Sequence, residues 1–145
     1  MQPSQPEPNL TASYLIGRID RILRTRLEDA FAESGLSLQE YTTLFVLMAR
    51  PGLSNARLAR RALITPQAMH KVIRSLEAGG LVERSPSPNG GRVLETTITD
   101  AGADLVDGLL ERIATVEDQV LGALDADERR ELIRLLVLAT STSIP

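Results

Sequence analysis

Apolar residues recur at three- and four-residue steps along most of the chain, and the pattern breaks at glycine and proline. From about Leu10-Thr11, the residues Leu15, Ile16, Ile19, Ile22, Leu23, Leu27, Ala30 and Phe31 form one broad stripe that stops at Gly35. Arg18, Arg21, Arg24 and Glu28 lie on the other side, so the spacing predicts a long amphipathic helix. Ser37 and Glu40 form a capping box that opens a second helix, with Tyr41, Leu44, Phe45, Leu47 and Met48 as its apolar positions. Pro51-Gly52 ends it. A short helix follows from Ser54, with Leu58, Ala59 and Ala62 facing inward and Leu63-Ile64 as the connection. Thr65 is an N-cap, and Pro66 takes the first helical position, where its missing N–H would have had no partner anyway. Met69, Val72, Ile73 and Leu76 give this next helix one apolar face, and Gly79-Gly80 terminates it.

The period then shortens to two. Leu81 to Arg84 reads as a strand, Pro86 to Gly91 as a loop, and from Arg92 a second strand sets Val93, Glu95 and Thr97 against Leu94, Thr96 and Ile98. Helical spacing returns after Thr99, a cap with Asp100 behind it, and runs through Leu105, Leu109, Ile113, Val116, Val120 and Leu124. Asp125 and Glu128 form another capping box, opening a last helix through Leu132, Ile133, Leu136 and Val137.

Two short helices, a tight connection, a third helix and a hairpin make a winged helix-turn-helix, a module that sets one helix into a DNA groove. The predicted fold is mainly α (α+β), with long N- and C-terminal helices around that module. Residues 1–9, with three prolines and no periodicity, read as a disordered arm. Residues 10–35 and 99–142 read as a helical dimerisation region and residues 36–98 as the DNA-binding region. The first helix has more apolar surface than a small neighbour can cover, which argues for a partner helix.

Charge sharpens this picture. The net charge of −3 over 145 residues is unpromising for a nucleic-acid binder. Yet residues 50–92 hold eight basic and two acidic residues, a net +6, while residues 1–49 sum to −2 and residues 93–145 to −7. Affinity for DNA follows the local field that faces phosphates, so the positive block on the predicted module matters more than the total. There is no cysteine, which excludes disulfides, thiol catalysis and cysteine-based redox sensing. No apolar run approaches a membrane span and the start lacks a signal pattern, so a cytoplasmic protein is expected.

The polar face of the Thr65 helix carries Gln67, His70, Lys71 and Arg74. Glutamine can bond adenine bidentately, and lysine or arginine can bond guanine or phosphate, although any solvated helix face also carries polar residues. Lys71 is the only lysine in the chain. Arg92, beside a glycine-rich hairpin tip, could enter a narrow minor groove or simply be a solvated strand-end charge. Tyr41 and Phe45, one turn apart, could line a pocket for an aromatic effector or form a plain core pair. Asp100, Asp104, Asp107 and Glu111 make an acidic stripe that reads as a solvated face rather than a metal site, since no histidine is near. One histidine, no cysteine and no phosphate-cradling loop leave no catalytic constellation, so no enzyme, cofactor or metal is expected. The alternative is a winged-helix adaptor that binds protein rather than DNA, and the +6 block argues against it.

From about Leu10 to Ala139 the order of parts resembles the MarR family of bacterial transcriptional regulators. Ile64 to Arg84 looks like that family's recognition helix running into its first wing strand, Gly91-Arg92-Val93 matches its wing, and Ile98-Thr99-Asp100-Ala101-Gly102 resembles its Leu-Thr-x-x-Gly junction. The resemblance implies a homodimer with interdigitated first, fifth and sixth helices that reads a pseudo-palindromic operator in double-stranded DNA. It also implies repression, relieved by a small aromatic or phenolic effector bound between the dimerisation helices and the DNA-binding lobe. Two recognition helices related by a two-fold axis must then sit about 34–36 Å apart to enter successive major grooves. Gln67, Lys71 and Arg74 would read bases or adjacent phosphates, with Thr65, Pro66 and His70 toward the backbone. Ser54, Asn55 and Arg57 would hold phosphates. Family wings often read Asp-x-Arg, and here Gly90 stands at the acid position, so a mobile Arg92 is expected before DNA arrives.

Overall fold

The computed structural model describes residues 10–142, so the expected arm over residues 1–9 lies outside them. Helix α1 (Ala12–Phe31) starts where the Thr11 hydroxyl accepts the Tyr14 N–H, and a 3-10 turn (Ala32–Ser34) leads it to Gly35 at φ +74°. Helix α2 (Leu38–Ala49) carries the expected reciprocal cap between Ser37 and Glu40. Helices α3 (Asn55–Ala62) and α4 (Pro66–Ala78) begin at the Ser54 and Thr65 caps. The wing strands β2 (Val82–Pro86) and β3 (Leu94–Ile98) are followed by helix α5 (Asp100–Val120) and helix α6 (Ala126–Ser141), the latter opened by Asp125 and Glu128.

One strand escapes the periodicity. Strand β1 (Leu53–Ser54) pairs antiparallel with β3, Leu53 opposite Thr96 and Ser54 opposite Glu95, giving the sheet order β1-β3-β2. Two residues are too few to show alternation. The wing also differs from expectation at its ends. Strand β2 continues to Pro86, which pairs with Leu94 at the strand end, where a residue without an N–H is tolerated. Strand β3 begins at Leu94 rather than Arg92, because Gly90 and Gly91 both take φ +83° and hold the chain out of the ladder.

Phe31, Leu44, Leu47, Leu58, Met69, Ile73, Leu76, Val82 and Val106 form the centre of one core, each at most 2% exposed. That core fixes the pose of α4, whose inward face is wholly buried. The junction into α5 explains why a glycine is needed there. The Thr99 hydroxyl donates to Gly80 O at 2.7 Å and accepts the Gly102 N–H at 3.1 Å, which draws α5 onto the end of α4. A β-carbon on Gly102 would lie 2.3 Å from Leu81 O.

The terminal helices are different in kind. Helix α1 packs along α5, with Arg112 donating to Ala30 O and Glu33, and Arg26 donating to Gln119. Helix α6 has no buried residue, and Ile133, Leu135, Leu136, Val137 and Leu138 are 43–63% exposed. Tyr14, Leu15, Ile16 and Ile22 on α1 are exposed as well.

Candidate nucleic-acid interface

Helix α4 separates its two faces cleanly. Met69, Val72, Ile73 and Leu76 are buried, while Gln67, His70, Lys71 and Arg74 are exposed. Its start lies against the start of α3, because the Asn55 amide donates to Pro66 O at 3.1 Å. Ser54 and Thr65 each use the hydroxyl oxygen as a cap, accepting Arg57 N–H and Ala68 N–H, which leaves each hydroxyl hydrogen free to donate. Two helix N-termini thus meet on one side of the module, a setting that favours anions. Asn55, expected to hold phosphate, is half-buried and already engaged in this tie, with Oδ1 buried and lacking a partner among the described residues. Arg57 beside it is exposed.

The cations divide into two groups. Arg84 grips Glu77 bidentately at 2.7 and 3.1 Å, holding the carboxyl below its ordinary range and pushing its own guanidinium further up. Its charge is cancelled, and it joins β2 to α4. Arg57, Arg60, Lys71, Arg74 and Arg92 are exposed and have no ion-pair partner among the described residues. The positive block is therefore a set of free charges on α3, α4 and the wing. Arg60, with the half-buried Arg61, is a cation that periodicity alone did not single out; three arginines within five positions of α3 were the available signal.

The wing tip is more organised than the missing acid suggests. Ser87 N–H donates to Val93 O at 2.9 Å and Gly90 N–H donates to Ser87 O at 3.1 Å. The Ser87 hydroxyl donates to Glu95 at 3.0 Å and accepts the Asn89 N–H at 3.3 Å. Arg92 stands next to the anchored Val93.

Tyr41 packs at a tilt on Phe31 with ring centroids 4.9 Å apart, and the Phe45 ring lies 6.0 Å from that of Tyr41. Tyr41 is half-buried, and burial, with Glu117 as a lesser cause, raises its hydroxyl above the ordinary tyrosine range. Phe45 is 53% exposed, so these two are not an enclosed core pair. A separate groove of about 370 Å³ lies between α1 and the α3–α4 turn, lined by Leu23, Arg24, Leu27, Leu38, Leu63 and Ile64 among others. Leu63 in that turn has φ +56° and is 76% exposed, an unusual state for a leucine. Asp100, Asp104, Asp107 and Glu111 are exposed on α5, and among the described residues no group of three or more His, Asp or Glu is placed to hold a metal. Among those residues no helix is long and apolar enough to cross a membrane.

This arrangement has relatives. The MarR family model matches residues 34–93, from the 3-10 turn to the wing tip. The HTH-type transcriptional repressor Rv2887 of Mycobacterium tuberculosis is 40% identical over 123 residues, spanning 85% of this chain and 88% of that one. The chain belongs to the MarR family. The M. tuberculosis MarR family protein Rv2887 solved in complex with salicylic acid superposes with a TM-score of 0.74 at 37% identity, covering 90% of this chain and 97% of that one. Its complex with DNA gives 0.73 at 35% identity, covering 88% and 96%. As a MarR-family member the chain is a DNA-binding transcriptional regulator, not a member of an enzyme family, and its mostly helical fold with a three-stranded sheet is the family's winged helix.

Proposed function

We propose that this MarR-family regulator is a homodimeric repressor that reads a pseudo-palindromic operator with α4 and releases it when an aromatic acid binds. The observation that carries the reading is the division of α4: one face supplies the core, and the other presents Gln67, His70, Lys71 and Arg74 unpaired to solvent. Gln67, Lys71 and Arg74 read base edges or adjacent phosphates, with Thr65, Pro66 and His70 toward the backbone. Arg57, with the free hydroxyl hydrogen of Ser54, holds phosphate, and Arg92 enters the minor groove beside it. Asn55 serves the interface by fixing α3 against α4.

The second copy covers the apolar faces of α1 and α6. Fully burying one such leucine or isoleucine is worth about 1.5–3 kcal/mol, so a handful of them sustains a stable dimer. Salicylic acid is the ligand in the Rv2887 complex, and two places where the terminal helices meet the module bear on a molecule of that class. Tyr41 and Phe45 offer an aromatic wall, but the nearby Glu117 carboxylate repels that of an acid. The groove at Leu63 offers apolar walls and Arg24, whose guanidinium is held by Asp20 at 2.9 Å. Coupling of about 1–3 kcal/mol between ligand and DNA would weaken operator binding about 5- to 150-fold.

A mobility-shift titration on duplex DNA from upstream of the protein's own gene, with and without salicylate, tests the whole reading. The expected result is a dimer-sized shift that salicylate weakens. Failure of the protein to prefer that duplex over scrambled DNA of equal length would refute operator recognition there.

A further inference from the structure

The wing tip holds Arg92 with a glycine two residues before it, and Ser87 and Glu95 order the turn that carries it. We infer that Ser87 and Glu95 are positioning residues for Arg92: a serine hub, anchored on a strand carboxylate, pre-forms the wing for DNA. The inference rests on the DNA-binding reading above.

Ser87 makes four hydrogen bonds within a loop of a few residues. Its N–H donates to Val93 O, which extends the β2–β3 ladder one step past Pro86 and Leu94. Its carbonyl accepts the Gly90 N–H, and its hydroxyl accepts the Asn89 N–H. The hydroxyl hydrogen is donated to Glu95 Oε1 at 3.0 Å. Both capacities of the hydroxyl are used at once, inward to the strand and outward to the turn. Glu95 is itself fixed, being half-buried where β1 and β2 both pair with β3, opposite Ser54 and Ser85. The chain then reverses through Gly90 and Gly91 at φ +83°. That backbone region disfavours the side chain an aspartate would bring to position 90. The tip is therefore braced through the backbone of Val93, while Arg92 has no ion-pair partner among the described residues. Arg92 keeps its full charge for phosphate or for the minor groove.

The test uses the full chain and a duplex selected by the wild-type protein from a randomised pool. Binding isotherms are measured for Ser87→Ala, Ser87→Thr, Arg92→Ala and the Ser87→Ala/Arg92→Ala pair, with thermal denaturation alongside. Ser87→Ala removes the donor to Glu95 and should bind about 3- to 10-fold more weakly, the scale of one hydrogen bond. Ser87→Thr restores the hydroxyl and should stay within about twofold of wild type. In the Arg92→Ala background the Ser87→Ala loss should vanish, because the serine acts only through that arginine. Additive losses, or wild-type binding by Ser87→Ala, would overturn the inference. If no duplex is selected at all, the DNA-binding reading itself has failed, which is a separate result.

Discussion

Replacing Lys71 by alanine removes one free cation from each recognition helix and leaves the core untouched, since its neighbours Met69, Val72 and Ile73 carry the packing. Arg57, Lys71, Arg74 and Arg92 are the unpaired cations assigned to the interface, four per protomer and eight per dimer. If each neutralises one phosphate, the plot of log affinity against log salt should have a slope of about −7. Between 50 and 200 mM salt, affinity would then fall about 10⁴-fold. Lys71→Ala leaves six such contacts, so the slope should become about −5 and the fall about 10³-fold. Arg84→Gln is the internal control, because Glu77 already holds that guanidinium at 2.7 Å and its loss should not change the slope. Gln67→Ala should also keep the slope while relaxing base preference at one position by about 1–3 kcal/mol. Fluorescence anisotropy of a labelled operator at four or five salt concentrations measures all of these. A Lys71→Ala slope equal to wild type would refute contact between this lysine and phosphate.

Other substitutions probe the scaffold. Gly102→Ala puts a β-carbon 2.3 Å from a backbone oxygen that cannot retreat, and should cost about 1–3 kcal/mol or more in chemical denaturation; a loss under about 0.5 kcal/mol would refute the close approach. Ile133→Glu with Leu136→Glu should turn the dimer into a monomer by sedimentation while leaving helical content nearly unchanged, because neither side chain is buried in the protomer; a persistent dimer would show that α6 is not the seal. Glu77 titrates low when folded because Arg84 bonds it, so its contribution is present above the ordinary carboxylate range and is lost as pH falls through the folded value. Glu77→Gln should therefore lose less thermal stability than wild type on acidification, and identical acid limbs would contradict the pairing.

The elements that were legible in the sequence are those whose signals are local. The Ser37–Glu40 and Asp125–Glu128 caps, the Thr65-Pro66 start and the burial of Met69, Val72, Ile73 and Leu76 follow from spacing alone. What spacing could not show depends on pairs distant in the chain. Strand β1 exists only because Leu53 finds Thr96. Spacing makes Asn55 a phosphate candidate and cannot show that Pro66, eleven residues on, engages its amide. Arg84 counted toward the positive block, yet Glu77 cancels it. At the wing, spacing showed only the missing acid beside Arg92 and not the bond between Ser87 and Glu95, eight residues on, that ties the turn to β3.

The same long-range ties decide how an effector can act. Helix α4 is joined to α2 by Ser75 donating to Glu40 at 3.0 Å, to α3 by Asn55 and Pro66, and to β2 by Arg84 and Glu77. With its apolar face buried as well, α4 has little freedom inside its own module, and distorting it would break several contacts together. The module shares its core with Phe31 of α1 and Val106 of α5, and Thr99 ties α5 to the end of α4, so the softer motion is of the whole protomer against its partner. A ligand at the boundary should therefore change the distance between the two α4 helices rather than the shape of either. Because the chain has no cysteine, Ala78→Cys places a single spin label at the exposed end of each α4. Pulsed dipolar measurement on the dimer should show the distance distribution shift when salicylate is added, while amide exchange in α3 and α4 keeps its protection. An unmoved distance with loosened α4 amides would place the switch inside the module and refute rigid-body control.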